Sequence, residues 1–239
     1  ASLCGGRRVE VSLILGVALS TDSRPRALST EVAPTLINSH RSFNDPSREV
    51  GKEIYMVAAS KSALSSADMA RAITRISHEI LERNSGSENL TILGIPTRGA
   101  HLASRIASTI EKIEGRSVQS GVLDITMHRD DLRMRPPRAI LPTTIPSLGV
   151  EGRDVILIDD VLFSGRTIRA ALDALGEIGR PATVQLAVLI DRGHRELPIR
   201  ADYVGKNLPT SVDQSIEVHL TEHDGIDEVN VIDQEEGVR

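Results

Sequence analysis

The sequence predicts an α/β fold, built as a twisted and mainly parallel sheet flanked by helices. Two observations lead to this prediction. Short apolar runs typical of buried strands alternate with segments whose apolar residues recur at helical spacing. One of these runs is followed by an acid pair and then a glycine-containing turn that opens a helix, an arrangement typical of the ligand-binding edge of a parallel sheet.

The predicted elements begin near Ser65 or Ser66, either of which can cap a helix. Apolar residues at helical spacing then form one stripe: Met69, Ile73, Ile76 and Ile80. The remaining pattern predicts strands over residues 90–95, 118–127, 154–158 and 182–190, and helices over residues 100–114 and 167–178. Two short strands, residues 216–220 and 226–232, are expected to complete the same sheet.

The chain divides by composition into a central domain and two flanking segments. Residues 1–59 show neither helical nor strand periodicity, and we expect a disordered extension that activity does not require. Residues 60–232 form the predicted domain, and residues 233–239 form an acidic tail. Within the domain, residues 128–153 are polar and rich in proline, which predicts a flexible flap over the functional site.

Composition excludes several classes of protein. A chain of 239 residues with 40% hydrophobic residues and a single cysteine, Cys4, predicts a globular fold without internal disulfides and a cytoplasmic location. The longest apolar run, residues 11–19, is shorter than the ~20 residues of a membrane helix. The net charge of −5 arises from residues 224–239, with six acids and one arginine, so the remainder is balanced and can carry a local basic face.

The strongest chemical feature of the sequence is residues 155–167, VILIDDVLFSGRT. An apolar strand leads to Asp159 and Asp160, and a turn containing Ser164 and Gly165 then opens a helix. Unpaired N–H groups at a helix N-terminus bind anions such as phosphate, and adjacent carboxylates suit ribose hydroxyls or a hydrated Mg²⁺. This predicts a pocket for a phosphorylated sugar. A nucleoside-triphosphate P-loop is excluded because GxxxxGK[ST] does not occur.

A second loop is expected at the same edge of the sheet. Thr97, Arg98 and Gly99 follow the strand over residues 90–95 and open the next helix. They offer a hydroxyl group, a guanidinium fork and a close backbone approach. These groups suit a pyrophosphate ligand.

These two loops resemble motifs of one superfamily. Residues 155–167 resemble the motif that binds phosphoribosyl pyrophosphate (PRPP) in type I phosphoribosyltransferases, and the Thr97 loop is similar to their pyrophosphate loop. The resemblance implies that Asp159 and Asp160 hold the ribose hydroxyls and that residues 163–167 hold the 5′-phosphate. The substrate-binding residues that it implies in this motif, beyond the acid pair, are Val161, Leu162, Phe163, Ser164, Gly165, Arg166 and Thr167.

Three other stretches resemble the PyrR family, whose members pair uracil phosphoribosyltransferase activity with binding to leader RNA of pyrimidine operons. They are residues 72–79 (AITRISHE), residues 124–132 with the prolines after them, and residues 188–207. The resemblance covers roughly residues 63–232. It implies that uracil and PRPP give UMP and pyrophosphate, with Mg²⁺ bound mainly through PRPP and water.

By the same resemblance, the expected catalytic residues are Asp159, Asp160, Arg98 and Arg129. Arg98 and the flap residue Arg129 would neutralise the departing pyrophosphate. The uracil pocket is expected beside the strand that ends at Asp191, near Tyr203, with Arg192 and Val204 as substrate contacts. Asp130 and Asp131 could order the flap by pairing with Arg133 or Arg135.

The RNA-binding residues are also implied by the resemblance: Thr74, His78, Arg195, Arg200 and Lys206. A helical wheel places Thr74 and His78 opposite the apolar stripe of the first helix, so His78 is expected to be exposed. Aromatic residues make up 2% of the chain, so RNA binding should depend on phosphate contacts and hydrogen bonds. Residues 191–206 are only slightly basic, which predicts a homodimer or larger assembly. UMP or UTP is expected to favour the RNA-competent state.

Two alternatives remain at this point. The protein could be an RNA-binding regulator that keeps the nucleotide pocket as a sensor and has little catalysis. It could also be a phosphoribosyltransferase for another base, such as a purine or orotate.

Overall fold

The computed structural model describes residues 60–131 and 142–233. Within these ranges the strands are β1 (Ser60–Leu64), β2 (Leu90–Gly94), β3 (Ser120–Val122), β4 (Asp154–Leu162), β5 (Thr183–Asp191), β6 (Tyr203–Asn207), β7 (Gln214–His219) and β8 (Glu228–Asp233). The helices are α1 (Ser66–Asn84), α2 (Arg98–Glu114), α3 (Arg166–Ile178) and α4 (Thr221–Asp224), with a 3₁₀ turn at Thr126–His128.

A five-stranded parallel sheet forms the centre of the domain, in the order β3-β2-β4-β5-β6. Parallel neighbours need a crossover between them, and α2 and α3 supply two of these crossovers. Strand β4 is central and pairs with β2 on one side and β5 on the other. The structure therefore confirms the predicted α/β fold with a parallel sheet and flanking helices.

The last two strands do not join the central sheet, so that prediction is wrong. Strands β7 and β8 pair with each other and with β1 in a separate antiparallel sheet of order β1-β8-β7. The edge position beside β5 is instead taken by β6, which was not predicted as a strand. Gly205 permits this pairing, because a Cβ atom there would lie 2.4 Å from the Leu189 carbonyl oxygen.

Helix α1 begins where its capping residue predicts. The Ser65 side chain accepts a hydrogen bond from the Asp68 N–H, while the Asp68 carboxylate accepts one from the Ser65 N–H. The four residues of the predicted apolar stripe are all buried, and Ser77 is buried with its hydroxyl donating to the Ile73 carbonyl. Local capping and a continuous apolar stripe thus both favour this helix.

Two strands differ in length from their predictions. Strand β3 has three residues rather than ten, because Asp124 Oδ1 accepts hydrogen bonds from the N–H and the hydroxyl of Thr126 and so turns the chain. Strand β4 continues through the acid pair to Leu162, because β5 offers pairing partners as far as Asp191. The acid pair therefore lies within the strand and not in the loop after it.

Three predictions fall partly or wholly outside the described residues. They are the disordered extension over residues 1–59, the tail over residues 233–239 beyond residue 233, and the proline-rich flap between residues 132 and 141. Within the described ranges, no helix is both long enough and apolar enough to span a membrane.

The capping box of α1 gives a stability prediction. Ser65→Ala removes the side-chain acceptor at the N-cap, and we expect the free energy of unfolding to fall by about 1 kcal/mol. Urea denaturation of both proteins measures this difference. Ser66→Ala, at the first helical position, is the matched control and should change stability by less than half as much. Equal effects of the two substitutions would contradict the capping assignment.

Candidate active site

The two predicted loops meet at the carboxyl edge of the central sheet. Strand β2 leads to the Thr97 loop, and β4 leads to the loop before α3. They approach each other closely at Gly99, where a Cβ atom would lie 2.6 Å from the Ile158 carbonyl oxygen. A glycine is therefore required for the first turn of α2 to pack on β4.

Two cavities lie at this edge. The first, of about 560 Å³, is formed by the loop at residues 161–168 and by Arg129, Asp130, Asp131, Asp159 and Glu196. The second, of about 620 Å³, is formed by Pro96, Thr97, Arg98, Asp124, Ile125, Thr126, Arg129, Asp159, Asp160, Val161 and Thr167. The two cavities share Arg129, Asp159, Val161 and Thr167 and so form one continuous cleft.

The acid pair lies where the two cavities meet. Asp159 is 6% exposed, and its Oδ1 accepts a hydrogen bond from the Asp160 N–H at 3.0 Å. Burial, and then the neighbouring Asp160 carboxylate, raise the pKa of Asp159 well above its usual value, although Arg129 opposes this. A ligand that brings hydroxyl donors or a cation to this point would stabilise the ionised pair.

The loop before α3 has the geometry of an anion site. Gly165 occupies the N-cap with φ of 92°, a left-handed conformation that favours glycine. Ser164 Oγ accepts a hydrogen bond from the Arg166 N–H, and Thr167 lies in the first turn of α3 and contributes to both cavities. The positive end of α3 therefore faces the first cavity.

Arg166 is paired with two carboxylates in the first cavity. It contacts Asp130 and Glu196, each at 2.6 Å. The second flap acid, Asp131, pairs with Arg129 at 2.7 Å. The suggested partners Arg133 and Arg135 lie outside the described residues. Of the pairs described here, Arg166–Asp130 links residues 129–131 to the start of α3.

Arg98 contributes to the second cavity but is also ion-paired. Its Nη2 and Nε donate to the Asp224 carboxylate at 2.9 and 3.2 Å. Asp124 and Thr126 lie on the wall of the same cavity. Arg98, Thr97 and the acid pair are thus brought together as the sequence predicted.

Arg192 is buried and fixes the chain beyond β6 to the loop before α3. It donates hydrogen bonds to Thr210 Oγ1 and to the carbonyl oxygens of Ser211 and Gln214. Its guanidinium group lies over the Phe163 ring, 4.2 Å from the centroid. Burial lowers the pKa of Arg192. Arg192 lines neither of the two cavities and bonds to protein groups, so its contact with the substrate stays a prediction.

The structure does not place Tyr203 or Val204 in the cleft. Strand β6 runs parallel to β5, so its last residue, Asn207, and not its first residue, is level with Asp191 at the ligand-binding edge. The Tyr203 hydroxyl is buried and donates to Gln185 in the core. Neither residue lines the two cavities described above, and a base pocket near them stays a prediction.

The five predicted RNA contacts are not all exposed. Thr74, His78, Arg200 and Lys206 are exposed, and the Lys206 ammonium group donates to the Ala63 carbonyl. Arg195 is different, because its guanidinium group binds the Asp191 carboxylate and the carbonyl oxygens of Phe163, Gly193 and Ile199. Arg195 therefore does not contribute an exposed cation to a basic face with the other four.

Sequence reasoning did not assign several residues of the cleft. Asp124 and Thr126 fell within the strand predicted over residues 118–127, and the turn that an Asp-x-Thr sequence favours is the signal that could have found them. Glu196 lies in the PyrR-like segment but had no predicted role. Asp224 carried no local signal, because its contact with Arg98 joins residues 126 positions apart.

The acid pair can accommodate a hydrated Mg²⁺ that is held mainly by other ligands. The described residues contain no cluster of three or more histidine, cysteine, aspartate or glutamate side chains able to hold a metal. Two adjacent carboxylates, one with a raised pKa, instead fit a cation that also binds phosphate oxygens and water.

Comparisons with known proteins agree with this geometry. A family model described as "Phosphoribosyl transferase domain" matches residues 60–223. The "Bifunctional protein PyrR" of Streptomyces coelicolor is 65% identical over 162 residues, which are 68% of this chain and 84% of that protein. The protein of the same name from Deinococcus radiodurans is 55% identical, over 76% of this chain and 99% of the relative.

Solved structures with low sequence identity share the fold. A hypoxanthine phosphoribosyltransferase of Trypanosoma cruzi gives a TM-score of 0.55 at 14% identity, over 73% of this chain and 97% of that one. One from Staphylococcus aureus gives 0.54 at 18% identity, over 72% and 92% of the two chains. The fold and the two-loop site define a phosphoribosyltransferase of the type I class. Within that class, this chain belongs to the PyrR family.

The buried acid pair gives a prediction of pH-dependent stability. The raised pKa of Asp159 means that the unfolded chain releases this proton at a lower pH than the folded protein does. Stability therefore falls as pH rises from the ordinary carboxyl pKa towards that of the folded state. We expect Asp159→Asn to raise the free energy of unfolding at pH 7 by more than the ~0.5 kcal/mol typical of surface changes.

Urea denaturation at pH 7 and at pH 4 measures this effect. The gain should shrink at the lower pH, where the folded wild-type carboxyl group is protonated and that of the unfolded chain is about half protonated. Asp213→Asn, at an exposed position, is the control and should leave stability unchanged at both pH values. A variant at Asp159 that is no more stable than wild type at pH 7 would contradict the burial argument.

Proposed function

We propose that this protein is a uracil phosphoribosyltransferase that converts uracil and PRPP to UMP and pyrophosphate, and that it also regulates pyrimidine genes by binding leader RNA. One observation carries the catalytic part. The anion site before α3 and the Thr97 loop open into one cleft that has Asp159 and Arg129 in common. A cleft with an anion site in one cavity and the Thr97 loop in the other suits a ligand with a phosphate group at each end of a ribose ring.

The chemistry requires positioning and charge neutralisation. As the bond from ribose C1 to the pyrophosphate oxygen breaks, positive charge develops on the sugar and negative charge on the leaving group. We assign Asp159 and Asp160 to the ribose hydroxyls, the N-terminus of α3 to the 5′-phosphate, and Arg98 with Arg129 to the pyrophosphate. Mg²⁺ bound with PRPP beside the acid pair would supply further positive charge at the leaving group.

The flap residues give the cleft a way to respond to its ligand. In the structure Asp130 and Glu196 hold Arg166, whose position beside the anion site suits a phosphate group. A bound phosphate would compete with these carboxylates for Arg166 and with Asp131 for Arg129. Closure of the flap over PRPP would then exclude water, which otherwise hydrolyses the activated sugar.

The two alternatives are less well supported. A sensor with little catalysis does not require Arg98, Arg129 and both aspartates to line one cleft, as they do here. A transferase for another base has no support from the hypoxanthine enzymes, because their 14–18% identity shows the fold alone. The relatives that share 53–65% of their residues with this chain are PyrR proteins.

The RNA-binding proposal is supported by exposure and charge. Thr74 and His78 lie on the outer face of α1, and Arg75 of the same helix donates to the carbonyl oxygens of Val204 and Gly205 in β6. Lys206 follows on the same strand. A second copy of the chain would double this modest positive charge, which supports the expected homodimer or larger assembly. A cytoplasmic location remains a prediction.

The transferase proposal is tested by assaying UMP formation from uracil, PRPP and Mg²⁺. We expect turnover by the wild type and a loss of more than about a hundredfold in the Asp159→Asn, Asp160→Asn double variant, because the sugar loses both of its carboxylate contacts. Asp213→Asn is again the control. Hypoxanthine and orotate should not compete with uracil. A folded wild type that binds PRPP without turnover would favour the sensor alternative.

The RNA proposal is tested with the leader RNA of the organism's own pyrimidine operon. Arg200→Ala should weaken binding, and should reduce the slope of log affinity against log salt by about 1 if Arg200 contacts a phosphate. Arg180→Ala removes another exposed arginine, at the end of α3, and is the matched control. UMP formation should be unchanged in both variants, and added UMP should strengthen RNA binding by the wild type. Equal losses in the two variants would contradict a specific face.

A further inference from the structure

Asp224 holds the arginine of the pyrophosphate loop in a fixed orientation. The Arg98 side chain donates through Nη2 and Nε to the two oxygens of the Asp224 carboxylate. The carboxylate is itself fixed, because its Oδ2 accepts the Leu220 N–H at 2.9 Å. This hydrogen bond, and then Arg98, lower the pKa of Asp224. The ion pair is largely enclosed, with 29% and 18% of the two side chains exposed.

The pairing leaves part of the guanidinium group available to a ligand. Arg98 lies on the wall of the second cavity, and its Nη1 makes no hydrogen bond to any of the described residues. A guanidinium group has five N–H donors, of which the fork to Asp224 uses two. The remaining donors can bind phosphate oxygens without any change in the Asp224 contact.

We propose that Asp224 is a positioning residue for the transfer reaction, which orients Arg98 towards the pyrophosphate group of PRPP. This inference rests on the proposed function. An arginine side chain without such a partner samples many rotamers, and binding the pyrophosphate would then require ordering it. The two hydrogen bonds to Asp224 already order the Arg98 side chain in the folded protein, before the substrate binds. Asp224 does not touch the substrate, so its effect passes through Arg98.

The same contact joins the segment between β7 and β8 of the antiparallel sheet to the helix beside the parallel sheet. Asp224 ends α4, which connects β7 to β8 of the antiparallel sheet, whereas Arg98 begins α2 beside the parallel sheet. Strand β7 begins at Gln214, whose carbonyl oxygen accepts a hydrogen bond from Arg192. The segment from Gln214 to Asp224 therefore contacts Arg192, which lies beside Phe163, at one end and Arg98 of the pyrophosphate loop at the other.

The chain provides a matched control for this contact. Arg105, seven residues after Arg98 on α2, forms a fork to Asp227 at 2.7 and 2.9 Å. Asp227 also accepts a backbone N–H, from Thr221 at 2.8 Å, and these contacts lower its pKa to about 2. The two aspartates therefore make the same kinds of structural contact. Only Asp224 holds an arginine of the cleft.

The experiment compares Asp224→Asn with Asp227→Asn in the full chain. We expect Asp224→Asn to raise the KM for PRPP and the inhibition constant of pyrophosphate by about tenfold or more, with a smaller change in kcat and in the KM for uracil. Asp224→Glu, which keeps the charge, should recover part of the loss. Asp227→Asn should lower thermal stability, although Glu222 still holds Arg105, and should leave the KM for PRPP unchanged.

Each result decides the inference. An unchanged KM for PRPP in a folded Asp224→Asn protein, or an equal increase in Asp227→Asn, would overturn it, because the contact would then be only structural. If Asp224→Asn does not fold, Asp224→Ser, which also removes the carboxylate, takes its place, and a wild-type KM for PRPP together with wild-type pyrophosphate inhibition in that protein overturns the inference. If the wild type shows no turnover, the transferase proposal fails, and PRPP affinity measured by calorimetry on the same variants still tests the positioning role.

Discussion

Asp159 is buried beside a second carboxylate in the central strand of the sheet, which makes its ionised form unfavourable. The other charged groups of the cleft surround this acid pair. Burial and the Asp160 charge both disfavour ionisation of Asp159, whereas a backbone N–H and Arg129 favour it. A structural site would replace such a residue with an apolar one, since the four residues before it, Val155 to Ile158, are all buried. The pair is therefore best explained by a ligand that supplies the missing hydroxyl groups and positive charge.

The arginine side chains of the cleft each form an ion pair with at least one carboxylate. Arg129 pairs with Asp131, Arg98 with Asp224, and Arg166 with both Asp130 and Glu196. The positive groups that suit phosphates are thus held by carboxylates in this structure. The pairs differ in exposure, because Arg166 is half exposed while Arg98 is mostly enclosed. A phosphate can replace the exposed partners of Arg166 more easily than it can replace Asp224.

Local signals predicted the parts of the fold and site that depend on neighbouring residues. The cap and apolar stripe of α1, the acid pair and the two loops all follow from short-range patterns. The small antiparallel sheet did not, because β1 and β8 are joined by pairing between residues more than 160 positions apart, such as Leu64 with Val229. The hydrogen bonds of Arg195 to Asp191 and to backbone carbonyl oxygens had no signal in the sequence, where this residue is one cation in a polar segment.

Strand β6 contacts the helix of the proposed RNA face and also pairs with β5, which leads to the cleft. Arg75 of α1 holds the backbone of β6 on one side, and Asn207 at the end of β6 is level with Asp191 at the ligand-binding edge. Beyond β6, the Thr210 hydroxyl accepts a hydrogen bond from Arg192. The Arg192 guanidinium group lies over the ring of Phe163, which lines the first cavity. A nucleotide changes RNA affinity only if it binds two arrangements of the protein differently. The contacts that run from Phe163 through Arg192 and Thr210 to β6, and from β6 to Arg75, connect the cleft to α1. A change in arrangement at the cleft can be transmitted to α1 through them.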